Sequence, residues 1–125
     1  MAPKVLIVDD EAHIRRLIEQ TLEDLEDEGI ELLMASDGEE ALETIKAEKP
    51  DLVFLDVMLP KMNGFDVCHV AKHELGLTGT YIIMLTAKGQ EFDKQKGGEV
   101  GADIYMTKPF DPDELLRKVV EVLGL

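Results

Sequence analysis

The sequence predicts an α/β fold, a parallel sheet covered by helices. Segments with strand character alternate five times with segments of helical period, and no repeat, low-complexity stretch or linker interrupts them. The 125 residues match one ordinary domain with one core and leave no room for a second. Two of the apolar runs, Val5-Leu6-Ile7-Val8 and Leu52-Val53-Phe54-Leu55, end directly on carboxylates, Asp9-Asp10 and Asp56.

The first strand is closed by Asp9-Asp10. Ile14, Leu17, Ile18, Leu22 and Leu25 then recur at helical spacing through about residue 27, predicting one helix with a core face and a wet, charged face. Ile30 to Ala35 reads as the second strand. Ser36-Asp37-Gly38-Glu39-Glu40 supplies an N-cap followed by carboxylates in the first turn of a helix that Pro50-Asp51 closes. The third strand ends at Asp56, and Val57 to Gly64, with Pro60 and Asn63-Gly64, reads as a loop. A helix over about Phe65–Leu75 comes next, then Gly76 and Gly79, then a strongly apolar fourth strand from Tyr81 that terminates at Thr86-Ala87. The next helix, near residues 90–100, contains Gly97-Gly98, each costing ~1 kcal/mol relative to alanine, so fraying is expected there. A short fifth strand around Asp103 to Met106 leads to Lys108-Pro109. Asp111 caps the last helix, with Pro112 at its first position, Glu114 in its first turn and Leu115, Leu116, Val119, Val120 and Leu123 as its buried stripe.

Composition narrows the function. A formal charge of −14 would repel a phosphate backbone, which argues against direct nucleic-acid binding and favours basic or mixed-charge protein surfaces. The single cysteine, Cys68, excludes an internal disulfide and agrees with a reducing compartment. Only four apolar residues come after Lys4, too few for a signal-peptide core, and no run approaches membrane-spanning length; a soluble, cytoplasmic protein with no membrane association is expected.

In open α/β sheets the ligand site lies beyond the carboxyl ends of the strands. Four of the five predicted strand ends carry a reactive or polar group: Asp9 and Asp10, Asp56, Thr86, and Lys108 just after the fifth. If the first and third strands are neighbours, three carboxylates meet. At ~4 Å two such charges repel by about 4 kcal/mol at a surface-like dielectric, so a compensating cation is needed, and a hard ion with oxygen ligands, Mg²⁺ above all, fits best. Each group has a role in phosphoryl transfer, where positioning and charge stabilisation dominate. Asp56 would be the nucleophile, Asp10 with Asp9 the metal anchors, Lys108 a fixed positive charge on a phosphoryl oxygen and Thr86 a hydroxyl donor to another.

These residues resemble those of the response-regulator receiver domains of two-component signalling. The resemblance covers essentially the whole chain, 1–125, as a single domain: Asp9-Asp10-Glu11, Asp56-Val57-Met58-Leu59-Pro60 with Asn63-Gly64, Thr86-Ala87, Gly101-Ala102-Asp103 with Tyr105, and Lys108-Pro109-Phe110. It implies the flavodoxin-like (βα)5 three-layer sandwich with strand order 2-1-3-4-5. It also implies a mechanism. Asp56 takes a phosphoryl group from a phosphohistidine on a sensor histidine kinase, or on a histidine phosphotransfer protein, and becomes an acyl phosphate. Mg²⁺ binds Asp10, Asp56 and the backbone carbonyl of Met58, with Asp9 reaching it through water. The Ala87 amide helps hold the phosphoryl oxygens, and a cis Lys108–Pro109 peptide aims the lysine inward. Thr86 then moves toward the phosphate, and Tyr105 turns into the space it leaves. That changes the face formed by the helix near 90–100, strand five and the last helix, the face through which such domains commonly dimerise or meet an effector. Lys94, Lys96, Asp103, Arg117 and Lys118 would supply its charges. The output partner is not named by the sequence.

Plainer readings exist for each residue. An Asp-Asp pair is often a solvated turn, Thr86 could satisfy a strand-end backbone group, Lys108 could lie on the surface, and Tyr105 could pack for area alone. His69 and His73 have a metal-binding spacing but read as a polar helix face, and His13 is no phosphoryl donor without a kinase context. Cys68, between apolar neighbours, reads as packing. Glu23, Asp24, Glu26, Asp27 and Glu28 lack the glycine and alternating ligands of a calcium loop. Among other functions, a Mg²⁺-dependent phosphohydrolase lacks a substrate cap and a second acid/base carboxylate, and a flavin carrier lacks a phosphate loop after the first strand.

Overall fold

The computed structural model of the protein describes residues 2–87 and 101–125, with Ala87 described by its backbone alone. The helix predicted near 90–100, with Gly97-Gly98, lies outside the described residues. The chain runs β1 (Lys4–Val8), α1 (Ala12–Thr21), α2 (Glu23–Asp27), β2 (Glu31–Ala35), α3 (Gly38–Glu48), β3 (Leu52–Asp56), α4 (Gly64–His69) with a π-helical turn over Val70–Glu74, β4 (Tyr81–Ala87), β5 (Ile104–Lys108) and α5 (Pro112–Leu123). The five strands form one parallel sheet in the order β2-β1-β3-β4-β5.

Alternation along the strands builds two cores, because successive side chains leave opposite faces of a strand. Leu6, Val8, Val53, Leu55, Ile82 and Met84 face one way and meet Ala41 and Ile45 of α3 and Phe65, Val67, Cys68 and Ala71 of α4 and its π turn. Val5, Ile7, Leu52, Phe54, Ile83 and Leu85 face the other way and meet Ile18, Leu22 and Leu25, with Leu115 and Val119 of α5. Most are wholly buried. Each such side chain contributes about 1.5–3 kcal/mol, so the central strands are held from both sides.

Local chemistry sets the helix ends. The Asp37 carboxylate accepts the Glu40 N–H at 2.8 Å and starts α3, and the Asp111 carboxylate accepts the Asp113 N–H at 2.9 Å and starts α5 behind Pro112. Four details differ from the sequence reading. The first helix breaks at Leu22 (φ −97°, ψ 5°) into α1 and α2. Leu17 is 38% exposed, because the stripe that meets the sheet runs Ile14, Ile18, Leu22, Leu25 and leaves it outside. The helix after β3 widens at Val70, whose carbonyl accepts the Leu75 N–H five residues on at 2.8 Å. Strand β5 extends two residues further than its sequence pattern predicts, so Lys108 closes the strand itself.

Asp103, read as a charge on a partner face, is exposed, and its carboxylate also makes contacts within the fold. Its carboxylate accepts the Ile82 N–H at 2.7 Å and pairs with the Lys72 ammonium at 3.0 Å, and Lys72 also donates to the Thr80 carbonyl. The Lys72 side chain is only 9% exposed, so this clasp ties the π turn to the beginnings of β4 and β5. Removing Asp103 leaves the nearly buried Lys72 ammonium without its counter-charge, whereas the Asp103 carboxylate, 32% exposed, keeps water when Lys72 is removed. Asp103→Ala should therefore lower the unfolding free energy by about 2–3 kcal/mol, and Lys72→Met, which keeps the apolar stem, by clearly less. Urea titrations of both variants check the order; equal losses would place the clasp's contribution in packing alone.

Candidate functional site

The register aligns the polar strand ends. Val8 lies opposite Leu55, so Asp9 and Asp56 come next on adjacent strands; Asp56 lies opposite Leu85, and Ala87 opposite Lys108. Asp9, Asp10 and Asp56 each offer a carboxylate oxygen within 4.8 Å of the others. Asp9 is fully buried, Asp56 is 5% exposed, and Asp10 is exposed. This all-oxygen set is consistent with the hard-cation site typical of receivers.

Among the described residues, Lys108 brings a cation to the carboxylates. Its ammonium lies 2.7 Å from Asp9 Oδ2, 3.4 Å from Asp56 Oδ1 and 3.9 Å from Glu11 Oε1. Burial works against its charge, but the hydrogen bond to Asp9 and the charges of Asp56 and Asp9 outweigh it and hold the lysine above its ordinary pKa. Burial, then the charge of Asp9, pushes the Asp56 carboxyl up to about 6, against the pull of Lys108 and the Met58 N–H. That N–H reaches Asp56 Oδ1 at 3.4 Å. Asp56 is thus mostly ionised at neutral pH, yet poorly compensated.

Asp9 is held on every side. Its Oδ1 accepts the Glu11 N–H at 2.9 Å, its backbone carbonyl accepts Arg15 Nη1 at 2.6 Å, and its own N–H donates to the Ala35 carbonyl at 3.3 Å. Arg15 is the residue that sequence reasoning missed. The available signal was its place on the first turn of α1, four residues past Glu11.

Thr86 is 2% exposed near the end of β4, with Ala87 closing that strand. Met58 stands beside Asp56 with 67% of its surface exposed. The Lys108–Pro109 peptide is cis. Tyr105 packs on the α3/α4 side of the sheet, beside Met84 of β4 in register. Other candidates are not brought to the site. His69 and His73 are exposed with ring centroids 4.9 Å apart, His13 is exposed beside Glu11 at 3.5 Å, and Cys68 is buried, its thiol pushed up to about 12 by burial.

A 2-1-3-4-5 parallel sheet that gathers acids and a lysine at its carboxyl edge defines the flavodoxin-like class in which receivers fall. Residues 5–120 match the response regulator receiver domain, and the chain belongs to that family. It is 49% identical over 123 residues, 98% of its length, to the alkaline phosphatase synthesis transcriptional regulatory protein PhoP of Bacillus subtilis, and covers 49% of that protein. The chain spans about half the length of the curated relatives it matches. Among solved structures, the chemotaxis response regulator CheY4 of Vibrio cholerae is similar with a TM-score of 0.85 at 36% identity, over 98% of this chain and 99% of that one. The REC domain of AraT, a response regulator from Geobacillus stearothermophilus, gives a TM-score of 0.87 at 34% identity, over 99% and 95%.

The raised pKa of Asp56 has a stability consequence. Between its ordinary value of 3.8 and about 6 the folded state holds the proton more tightly than the unfolded chain, so stability falls as pH rises through that window. Above it the cost is fully present. Asp56→Asn should therefore stabilise the metal-free protein at pH 7.5 by about 1–3 kcal/mol, and the gain should disappear near pH 4. Urea unfolding at the two pH values reads this; a variant no more stable than the parent at pH 7.5 would contradict it.

Proposed function

We propose that this receiver is a phosphorylation-activated switch whose only chemistry acts on its own Asp56. The observation that supports this best is the grouping of Asp56 with Asp9 and Asp10 while Lys108 lies 3.4 Å from Asp56 and 2.7 Å from Asp9. The Asp56 carboxylate attacks the phosphorus of a phosphohistidine on a sensor histidine kinase or a histidine phosphotransfer protein. The new O–P bond forms as the P–N bond breaks, and the imidazole leaves with the electron pair and takes a proton from solvent. Water later attacks the acyl phosphate and restores the carboxylate.

Asp10, Asp56 and the Met58 carbonyl would hold Mg²⁺, with Asp9 as the outer acid; when bound, the ion supplies charge neutralisation between the carboxylates and the phosphoryl oxygens. Lys108 shifts its attraction toward those oxygens, and the Thr86 hydroxyl and the Ala87 amide donate to them. The new group adds about −1.5 to −2 charge, and only donors that move inward can satisfy it. Thr86 is that mover and Tyr105 moves after it, which remodels the face of β5, α5 and the sequence-predicted helix near 90–100. A homodimer or an effector meets the protein there. The name of the PhoP relative, a transcriptional regulatory protein, supports an output in transcription, carried by a partner or further domain and not by nucleic-acid binding of this single domain, 1–125. On this reading the protein acts in the cytoplasm. No helix among the described residues is long and apolar enough to cross a membrane.

Incubation with acetyl phosphate and Mg²⁺ should give one phosphate adduct by intact-protein mass. The adduct should decay on standing, need Mg²⁺ and be absent from Asp56→Asn. An adduct that persists in that variant, or none in the folded parent, would refute the reading. Thr86→Ala should still take phosphate yet lose most of the phosphorylation-dependent change in partner binding or dimerisation; a full response in that variant would break the coupling between Thr86 and the surface.

A further inference from the structure

The loop between β3 and α4, residues 57–63, carries Met58 beside the three carboxylates, and two glycines fix where it stands. At its base the Gly64 N–H donates to the Val57 carbonyl at 2.9 Å, and a Cβ on Gly64 would stand 2.2 Å from the Asp56 carbonyl oxygen. At its outer turn the loop lies on the first residue of α3. The Gly38 N–H donates to the Pro60 carbonyl at 3.2 Å, and a Cβ on Gly38 would stand 1.8 Å from the Met62 carbonyl oxygen and 2.7 Å from the Met62 Cβ. Cβ contacts under 3.0 Å essentially do not occur, and what Gly38 faces is chiefly backbone, which cannot rotate away as a side-chain tip could. Further contacts join the same two segments. Asp37, which caps α3, lies 3.6 Å from the Lys61 ammonium, and Lys61 itself turns the loop with φ 68°. The Met62 N–H closes onto the Pro60 carbonyl at 2.7 Å.

We infer that Gly38 is a positioning residue for the metal-binding loop. The N-terminus of α3 is a seat, and contact between Gly38 and Pro60–Met62 sets where the Met58 carbonyl stands relative to Asp10 and Asp56. The inference rests on the site reading proposed above and adds to it a residue that carries no chemistry of its own. The seat matters because Mg²⁺ demands near-ideal octahedral geometry, so a ligand on a displaced loop is a poor ligand. A methyl group at 38 obliges the Met62 carbonyl to retreat from 1.8 Å to beyond 3.0 Å, and the loop moves with it.

The test compares the parent with Gly38→Ala and with Glu39→Ala, an exposed neighbour in the same turn, by Mg²⁺ calorimetry, metal-free urea unfolding and acetyl-phosphate adduct formation across a Mg²⁺ series. Gly38→Ala should bind Mg²⁺ about tenfold or more weakly, the scale of effect expected of groups that orient metal ligands, while Glu39→Ala matches the parent. Excess Mg²⁺ should restore its rate of adduct formation to about threefold or less below the parent's, a split that a merely destabilising substitution would not give. A folded Gly38→Ala with parental Mg²⁺ affinity overturns the inference. Should that variant not fold, the parent alone decides: saturating Mg²⁺ should slow amide exchange at Gly38 by about threefold or more as the loop tightens on its seat, and unchanged exchange overturns it. A parent that binds no Mg²⁺ refutes the site reading itself, an outcome separable from both others.

Discussion

Three carboxylates at one edge of the sheet, balanced among the described residues by Lys108, are the constraint on which the rest of this molecule depends. Asp9, Asp10 and Asp56 sit within 4.8 Å at their oxygens, and Lys108, 2.7 Å from Asp9 and 3.4 Å from Asp56, is shared between two of them. Burial first, and then the charge of Asp9, push the Asp56 carboxyl up to about 6, and the pull of Lys108 does not offset them. A fold selected for stability alone would place a hydrophobic or neutral residue at 56, after four buried apolar residues. On the proposed reading, the excess charge is retained for a cation and for a phosphoryl group that comes with one.

The scaffold tolerates that demand because it is rigid where the charges are attached. The three strands that supply Asp9, Asp56 and Thr86 are central, covered by apolar layers on both faces. The connections are fixed by close backbone approach more than by side-chain bonds. Gly64 lies against Asp56 and Gly38 against Met62 with no space for a methyl group. Arg15 and Glu11 hold the main chain and carboxylate of Asp9 from the start of α1. Charge repulsion within the site is thus resisted by packing some distance from it.

Much of this was legible in the residues, and the parts that were not have physical reasons. Apolar runs closed by Asp9-Asp10 and Asp56 marked β1, β3 and the acidic edge, because a carboxylate directly after a buried strand has few other uses. Caps Asp37 and Asp111 were readable, since capping is local chemistry. Leu17 was misplaced because a helical period gives the direction of a stripe but not its width, and the break at Leu22 then rotates α2 relative to α1. The π turn at Val70 and the contacts of Asp103 accompany Lys72 reaching Thr80 and Asp103 at the start of β4, a tertiary arrangement with no periodic signature. The Gly38–Met62 approach joins residues 24 apart that share no motif. Arg15 looked like any charge on a wet helix face.

On the proposed reading, the position of Lys108 links a change of charge at Asp56 to a surface. The lysine closes β5, an edge strand bonded only to β4 within the sheet, while the beginning of β5 is fixed by the Asp103 clasp to Ile82 and Lys72. The strand pairs with β4 along its whole length; its beginning carries the clasp in addition, and its last residue carries the ammonium shared by Asp9 and Asp56. Tyr105 lies between them, opposite Met84 and two residues before Thr107, which pairs with Thr86. On the proposed reading, a phosphoryl group on Asp56 redirects Lys108 at the end of β5 and draws in Thr86, which pairs with Thr107, so the second half of β5 meets both changes together. The clasped beginning prevents the strand from sliding as a whole, and the adjustment falls on the side chain between. On that reading, an edge strand clasped at its beginning and charged at its end is a suitable element for converting a buried charge into an altered face.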